Sequence, residues 1–210
     1  MAFRKGHIGP FKWKCNKIND KLISMMPSTA KVFISVNSAL IENDSTHYPT
    51  EFLNSIELAG LPPHILNIEI GMPFMLLRLL NPLKLMNGTR CIITQALPNV
   101  IQAEIRCRRY KEEKHWIPRI TLQPSDSGLP FTFNRKQFPL RPCFSLTINK
   151  AQGQSLKVVG LDLSSPVFSH GMLYVAFPRT GNPNAIHILA PNSQTRNIVY
   201  SEVLDSIPHS

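Results

Sequence analysis

One stretch, Phe144 to Ser155 (FSLTINKAQGQS), limits what this chain can fold into. An apolar, β-leaning run ends in Thr147-Ile148-Asn149. A cation follows at Lys150, an amide at Gln152, a glycine at Gly153 and a hydroxyl at Ser155. A strand that runs out into such a loop presents charge, amide donors and close backbone approach together. A phosphate-binding loop needs these features, since glycine lets the backbone come near while lysine and backbone N–H groups meet the anion. An ordinary strand-to-helix turn has the same composition, and the residues alone leave both readings open. Downstream, Val158–Leu163 reads as a buried strand and Ser169–Phe177 as a helix capped by Ser169. Ala185–Leu189 reads as a further strand, and Thr195–Leu204 as a closing helix with Ile198, Val199 and Val203 on its apolar side. Strands alternating with helices imply a parallel sheet, and such sheets bind ligands at the C-terminal ends of their strands. Thr147 to Gly153 stands at such a position.

Upstream the texture changes. Met72–Leu79, Thr89–Leu97, Val100–Arg108 and Trp116–Leu122 each fit strands, with turn signals at Asn87-Gly88 and Pro98-Asn99. Several short strands in close succession predict a small barrel, ending near Phe138 where Pro139 and Pro142 bracket Arg141. Before this block, residues 37–70 are polar and carry Pro-Pro punctuation, with a weak helix near Phe52–Leu58. Lys31–Val36 (KVFISV) is a short strand. Ile18, Leu22, Ile23 and Met26 have helical spacing from Asn16 on, closed by Pro27. Residues 1–15 are basic without a clear period and read as a leader.

The 23 Lys and Arg against 13 Asp and Glu give a net charge of +10, which favours a polyanionic partner, nucleic acid ahead of an acidic membrane surface. Two basic runs stand out. Arg106, Arg108, Arg109, Lys111 and Lys114 lie near Tyr110 and Trp116, but Glu112 and Glu113 interrupt them, and a solvated hairpin tip is the preferred reading. Arg135, Lys136, Arg141 and Lys150 have no intervening acid and make the preferred DNA-side surface. Cys15, Cys91, Cys107 and Cys143 lack zinc-ligand spacing and read as reduced, part-buried thiols; no metal site is expected. The start lacks the apolar core of a secretory signal, and Phe74–Leu80 is short and broken by Arg78. The expectation is an intracellular protein, not secreted and not embedded in a membrane.

TINKAQGQS, with VVGLDLSSPVFSHGMLYVAFPR after it and GLPPHILNIEIGMPFMLLRLLNPLKLMNGTR before it, resembles the C-terminal part of a Pif-type DNA helicase of superfamily one, in the flavour carried by Helitron-like transposons. The likeness runs from about Asn16 to about Leu189, and three linked motifs in order make it specific. It implies an α/β fold: an incomplete second RecA-like domain with a parallel sheet over 16–70 and 139–210, carrying an inserted SH3-like β-barrel over 71–138. It implies that Arg179 reaches the γ-phosphate of ATP as an arginine finger, which is worth ~10³–10⁵ in rate. Gln152 and Gly153 become nucleotide-side residues. Thr147 and Lys150 come nearer the DNA backbone or couple the two sites; with Asn149 beside them and Arg141 from the basic run, they are the candidate contacts to single-stranded DNA. A nuclear location, 5′-to-3′ movement, and roles in DNA repair, recombination and telomere maintenance come with the likeness.

The chain departs from that pattern in two places and lacks two parts. Pro178 stands where the family has Ser, so the last helical turn must change, since proline fixes φ and removes an N–H. Met172 stands where the family has Gln, which loses a polar nucleotide contact. No GxxxxGK[ST] occurs, and Asp162, at the end of a strand, lacks a neighbouring Glu and reads as a turn-former. A complete helicase uses ATP and Mg²⁺; neither is expected to bind tightly to this chain alone, which is expected inactive without a first RecA-like domain supplied elsewhere. A non-enzymatic single-strand-binding remnant and a protein-interaction module using the barrel are the alternatives.

Overall fold

The computed structural model describes residues 5–26, 30–40, 48–106, 112–124, 127–200 and 202. In chain order the elements are β1 (Lys5–Gly9), α1 (Lys12–Ser24), β2 (Lys31–Ile34), β3 (Val36–Leu40), α2 (Thr50–Ser55), β4 (Ile65–Ile68), β5 (Pro73–Leu76) and β6 (Arg90–Ala96). Then come β7 (Val100–Ile105), β8 (Lys114–Pro118), β9 (Ile120–Leu122), β10 (Thr132–Gln137), β11 (Leu140–Pro142) and β12 (Ser145–Thr147). The last are α3 (Ile148–Ala151), β13 (Val158–Asp162), α4 (Met172–Ala176) and β14 (Ile186–Leu189). They form two compact units, one from the residues up to Met26 and from Cys143 on, the other from the residues between.

The first unit is built on a parallel sheet of order β12-β1-β13-β14. Ile8 on β1, Val159 and Leu161 on β13, Ile148 and Ala151 on α3 and Met172, Leu173 and Ala176 on α4 close one apolar core. α1 packs on β12 through a polar clasp. Asn19 is buried; its Nδ2 donates to the Ser145 carbonyl at 3.1 Å and its Oδ1 accepts from the Ser145 N–H at 2.8 Å. The side-chain amide thus does what a neighbouring strand would do, and satisfies both backbone groups of a buried residue.

Several sequence expectations change here. The N-terminal residues read as a basic leader instead supply β1, which lies between β12 and β13, and the first turn of α1 begins at Lys12, ahead of Asn16. KGHIG has two glycines and little β propensity; its pairing on both sides, His7 opposite Ser145 and Gly160, overrides that preference. Ser169 does not cap α4. The helix begins after Gly171, whose φ of 73° is the left-handed turn that glycine adopts at little cost. Of the closing helix expected over Thr195–Leu204, residues 195–200 carry no regular structure, and 201, 203 and 204 lie outside the described residues. Asp162 does order a turn: its Oδ1 accepts from the Ser164 N–H at 2.9 Å and from the Ser164 hydroxyl.

The second unit is antiparallel throughout. Its sheets are β11-β5-β6-β7-β8, β3-β10-β9 and the ribbon β2-β4. Phe74, Ile93, Ile101, Ile105 and Ile117 are buried on the five-stranded sheet. Leu53, Leu61, Leu122 and Phe133 form a separate cluster beside the three-stranded one. The strand succession expected from Met72 to Leu122 is present. The unit also takes in residues from 30 to 70, which the sequence reading had assigned to the parallel-sheet domain. No helix among the described residues is long and apolar enough to cross a membrane.

Candidate nucleotide and nucleic-acid interface

β12 ends at Thr147 and runs directly into the single turn of α3. Ile148 and Ala151 face the core, so the intervening Asn149 and Lys150 face solvent. The chain leaves α3 at Gln152 and turns at Gly153, whose φ of 74° suits glycine. A Cβ at Gly153 would meet nothing within 4 Å, so the backbone here is open to whatever approaches it. The turn is closed by the Gln154 N–H on the Ala151 carbonyl at 3.0 Å and by Gln154 Nε2 on the Lys150 carbonyl at 3.0 Å.

Arg179 folds back onto this loop. Its Nη1 donates to the carbonyls of Ala151 at 3.2 Å and Gln154 at 3.4 Å, the two residues flanking Gln152-Gly153. Its own carbonyl accepts from the Leu156 N–H at 2.7 Å. The Nε is buried and makes no hydrogen bond among the described residues. The structure therefore brings Arg179, Gln152 and Gly153 together. Pro178 reshapes the helix end: α4 stops at Ala176, Phe177–Arg179 tightens into a 3₁₀ turn, and Pro178 sits outside helical geometry at ψ 21°. Met172 lies in the core with 4% exposure, so its thioether packs with apolar neighbours.

The second basic run does not keep all of its members on the surface. Arg135 is 1% exposed and serves the core of the antiparallel unit. On β10, Lys136 is exposed while its neighbours Arg135 and Gln137 are buried. Arg141, on β11, donates through Nη2 to the Leu61 carbonyl at 2.7 Å, and burial pushes its pKa down while Glu57 pushes it back up. Of the first run, Arg106 pairs with Glu104 at 3.0 Å; Arg108, Arg109, Tyr110 and Lys111, with Cys107, lie outside the described residues. Cys15, Cys91 and Cys143 are buried and unbridged, and among the described residues no group of three or more His, Cys, Asp or Glu is placed to hold a metal.

Sequence reasoning passed over the rim that α1 adds. β1 is parallel to β12 with Gly9 opposite Thr147, so α1 and α3 both begin where adjacent strands end. A charged start with no hydrophobic period gave no helical signal; the available clue was Lys12-Trp13-Lys14, an aromatic between cations.

The parallel α/β sheet with its inserted antiparallel unit, and with the Gln152-Gly153 turn and Arg179 at its strand ends, has counterparts among proteins of known sequence and structure. In sequence and fold the chain is similar to the C-terminal portion of Pif1 helicases. Residues 51–96 match the family model for the 2B domain of the DNA helicase Pif1. An ATP-dependent DNA helicase Pif1 from Campylobacter jejuni is 30% identical over 114 residues, covering 45% of this chain and 25% of that protein. One from Bdellovibrio bacteriovorus is 22% identical over 186 residues, covering 89% and 39%. The chain thus spans well under half of these curated relatives. In fold it is similar to Pif1 helicase from Bacteroides in complex with ADP-AlF3 and single-stranded DNA, with TM-score 0.70, 21% identity, and 96% and 44% of the two chains covered. Pif1 helicase from Candida albicans gives a TM-score of 0.69 at 19% identity, with 90% and 45% covered.

Proposed function

We propose that this chain is the C-terminal working half of an ATP-dependent DNA helicase, which contributes DNA-backbone contacts and the arginine side of a composite ATP site. The observation that carries the reading is Arg179 held on the Ala151 and Gln154 carbonyls around an exposed Gln152-Gly153 turn, at the C-terminal end of β12. A guanidinium tethered by Nη1, with its Nε buried, has Nη2 to offer an anion arriving at the open turn. The residues fit one flank of a nucleotide. They do not fit all of it, since the sequence has no loop to cradle the β- and γ-phosphates. Bound ATP and Mg²⁺ would supply the phosphoryl-transfer chemistry between this chain and a first RecA-like domain. The role of this chain is to orient charge: Arg179 meets developing negative charge, and Gln152 and the Gly153 backbone approach the nucleotide.

On the nucleic-acid side, Thr147, Asn149 and Lys150 share the single turn of α3, with Asn149 and Lys150 in solvent. Their neighbourhood to Ala151, to which Arg179 bonds, links the two functions through two residues of backbone. The relatives solved with single-stranded DNA support this polymer as the partner, as does the net charge of +10. Arg141 stays a candidate contact from the antiparallel unit, with one guanidinium nitrogen already given to Leu61. The test is fluorescence anisotropy with a labelled single-stranded oligonucleotide across salt concentrations. Affinity is expected to fall with a log–log slope of about −0.7 per phosphate contacted, and to weaken in Lys150→Ala. Binding that is flat with salt and unchanged in Lys150→Ala would overturn the reading and favour a protein-interaction module.

A further inference from the structure

From the geometry at the start of α1, we infer a base-stacking subsite for single-stranded nucleic acid centred on Trp13. The inference rests on the reading above and adds to it a residue outside the loop at Lys150. Trp13 is 53% exposed on a helix whose sequence, KWKCNKINDKLIS, holds four lysines against one aspartate. The ammonium groups of Lys14 and Lys17 lie 5.5 and 5.2 Å from the Trp13 ring centroid. An indole with cations at that distance meets both demands of a single strand at one place, a flat face for a base and positive charge for the phosphates on either side. An apolar protein partner would have to strip water from those lysines, which a polyanion does not require.

Position supports the same assignment. α1 begins at the C-terminal end of β1, next to the end of β12 from which Thr147 and Lys150 emerge. The helix is fixed there at two points. The Asn19 side chain clasps both backbone groups of Ser145, and Lys14 Nζ donates to Ser164 Oγ at 2.7 Å in the turn that Asp162 orders. A second aromatic pair occupies the same rim: Phe11, just before α1, meets Phe168 at a centroid distance of 5.2 Å, and Phe168 is 54% exposed. The Trp13 platform is therefore held rigidly beside the proposed backbone-contacting turn, where consecutive nucleotides of one strand would meet phosphate contacts and a ring.

The experiment uses the full chain with Trp116→Phe, which leaves Trp13 as the one indole reporter. A short oligothymidylate is titrated against intrinsic fluorescence, beside an abasic oligomer of the same length. The oligothymidylate is expected to quench Trp13 and the abasic oligomer to leave it bright. Trp13→Ala is expected to raise Kd by about 5- to 150-fold, with Trp13→Phe recovering part of the loss. Lys17→Ala is expected to flatten the salt slope by about 0.7. Far-ultraviolet circular dichroism confirms that each variant keeps its fold. Salt-dependent binding that leaves Trp13 fluorescence and the Trp13→Ala Kd unchanged overturns the subsite alone. No binding by the unsubstituted chain overturns both this inference and the proposed function.

Discussion

Arg135 is the residue whose sequence context points furthest from its place. Beside Lys136 it reads as half of a solvated basic pair, yet it is 1% exposed. The guanidinium is solvated by protein oxygens: Nε donates to Asn37 Oδ1 at 2.9 Å, Nη1 to the Pro62 carbonyl at 3.1 Å, and Nη2 to the carbonyls of Ile56 at 2.9 Å and Leu53 at 3.4 Å. Its Cζ lies 5.2 Å from the Phe133 ring centroid. Burial pushes its pKa down, the Glu57 charge pushes it back up, and the carbonyl dipoles hold the cation in place. Arg135→Met would keep much of the volume and take the donor from the Leu53, Ile56 and Pro62 carbonyls, while Asn37 Oδ1 keeps the Ser35 hydroxyl, at about 1–3 kcal/mol for each buried group left unsatisfied and less than additively. A loss of about 3–5 kcal/mol is expected in urea unfolding; a loss below about 1 kcal/mol would show that water replaces the guanidinium at little cost. The placement was available in the sequence through period-two alternation, since Phe133, Arg135 and Gln137 fall on one face and Lys136 on the other. A buried arginine in that pattern masks the strand because its charge breaks the hydrophobic alternation.

At the scale of elements, the runs with ordinary strand composition were legible and the ones held by partners were not. β6 and β7 alternate strictly enough to be read directly, and the Leu97 N–H on the Val100 carbonyl at 3.0 Å closes the Pro98-Asn99 turn between them. β1 and β10 carry glycine or charge where a strand signal would be, and only their neighbours define them. Those neighbours also decide what can fold alone. A piece spanning 71–138, the extent expected for an inserted barrel, lacks β3, which pairs with β10 from Val36 to Leu40. It also lacks Asn37, Leu53, Ile56 and Pro62, every acceptor of the Arg135 guanidinium. Gln137 Nε2 loses the Phe33 and His64 carbonyls in the same cut, at 2.8 and 3.2 Å. The expected outcome is that 30–142 expresses as a soluble domain with β-type circular dichroism and a cooperative unfolding transition, while 71–138 does not. A cooperative transition in the shorter piece would show that the five-stranded sheet is stable without β3 and α2.

At the scale of the whole molecule the two halves of a phosphoryl-transfer site have different chemical requirements, and the proposed function asks this chain to meet one of them. Stabilising the transferred group takes a positioned cation, the part proposed above for Arg179, which is anchored on two backbone carbonyls. Holding the β- and γ-phosphates and their metal takes a glycine-rich loop with a lysine, a hydroxyl and an acidic strand end. Here the one strand-end acid among the described residues of the parallel unit, Asp162, accepts at its Oδ1 from both the backbone N–H and the hydroxyl of Ser164. A carboxylate oxygen so engaged is oriented for a turn. An isolated arginine finger confers nothing on a nucleotide that no other group holds, because its worth lies in the difference between ground and transition state of a bound substrate. The 210-residue chain alone is therefore expected to show no single-strand-stimulated ATP hydrolysis above that of its Arg179→Ala variant in a steady-state phosphate-release assay. Joined to a first RecA-like domain of Pif type, the pair is expected to hydrolyse ATP in a DNA-dependent way, and Arg179→Ala is expected to lower kcat by about 10³-fold or more with little change in nucleotide affinity. Hydrolysis by the chain alone that disappears in Arg179→Ala would mean that a phosphate cradle is built from residues other than a glycine-rich loop. Equal activity of the joined proteins with and without Arg179 would leave the arginine a structural clamp on the Ala151–Gln154 turn.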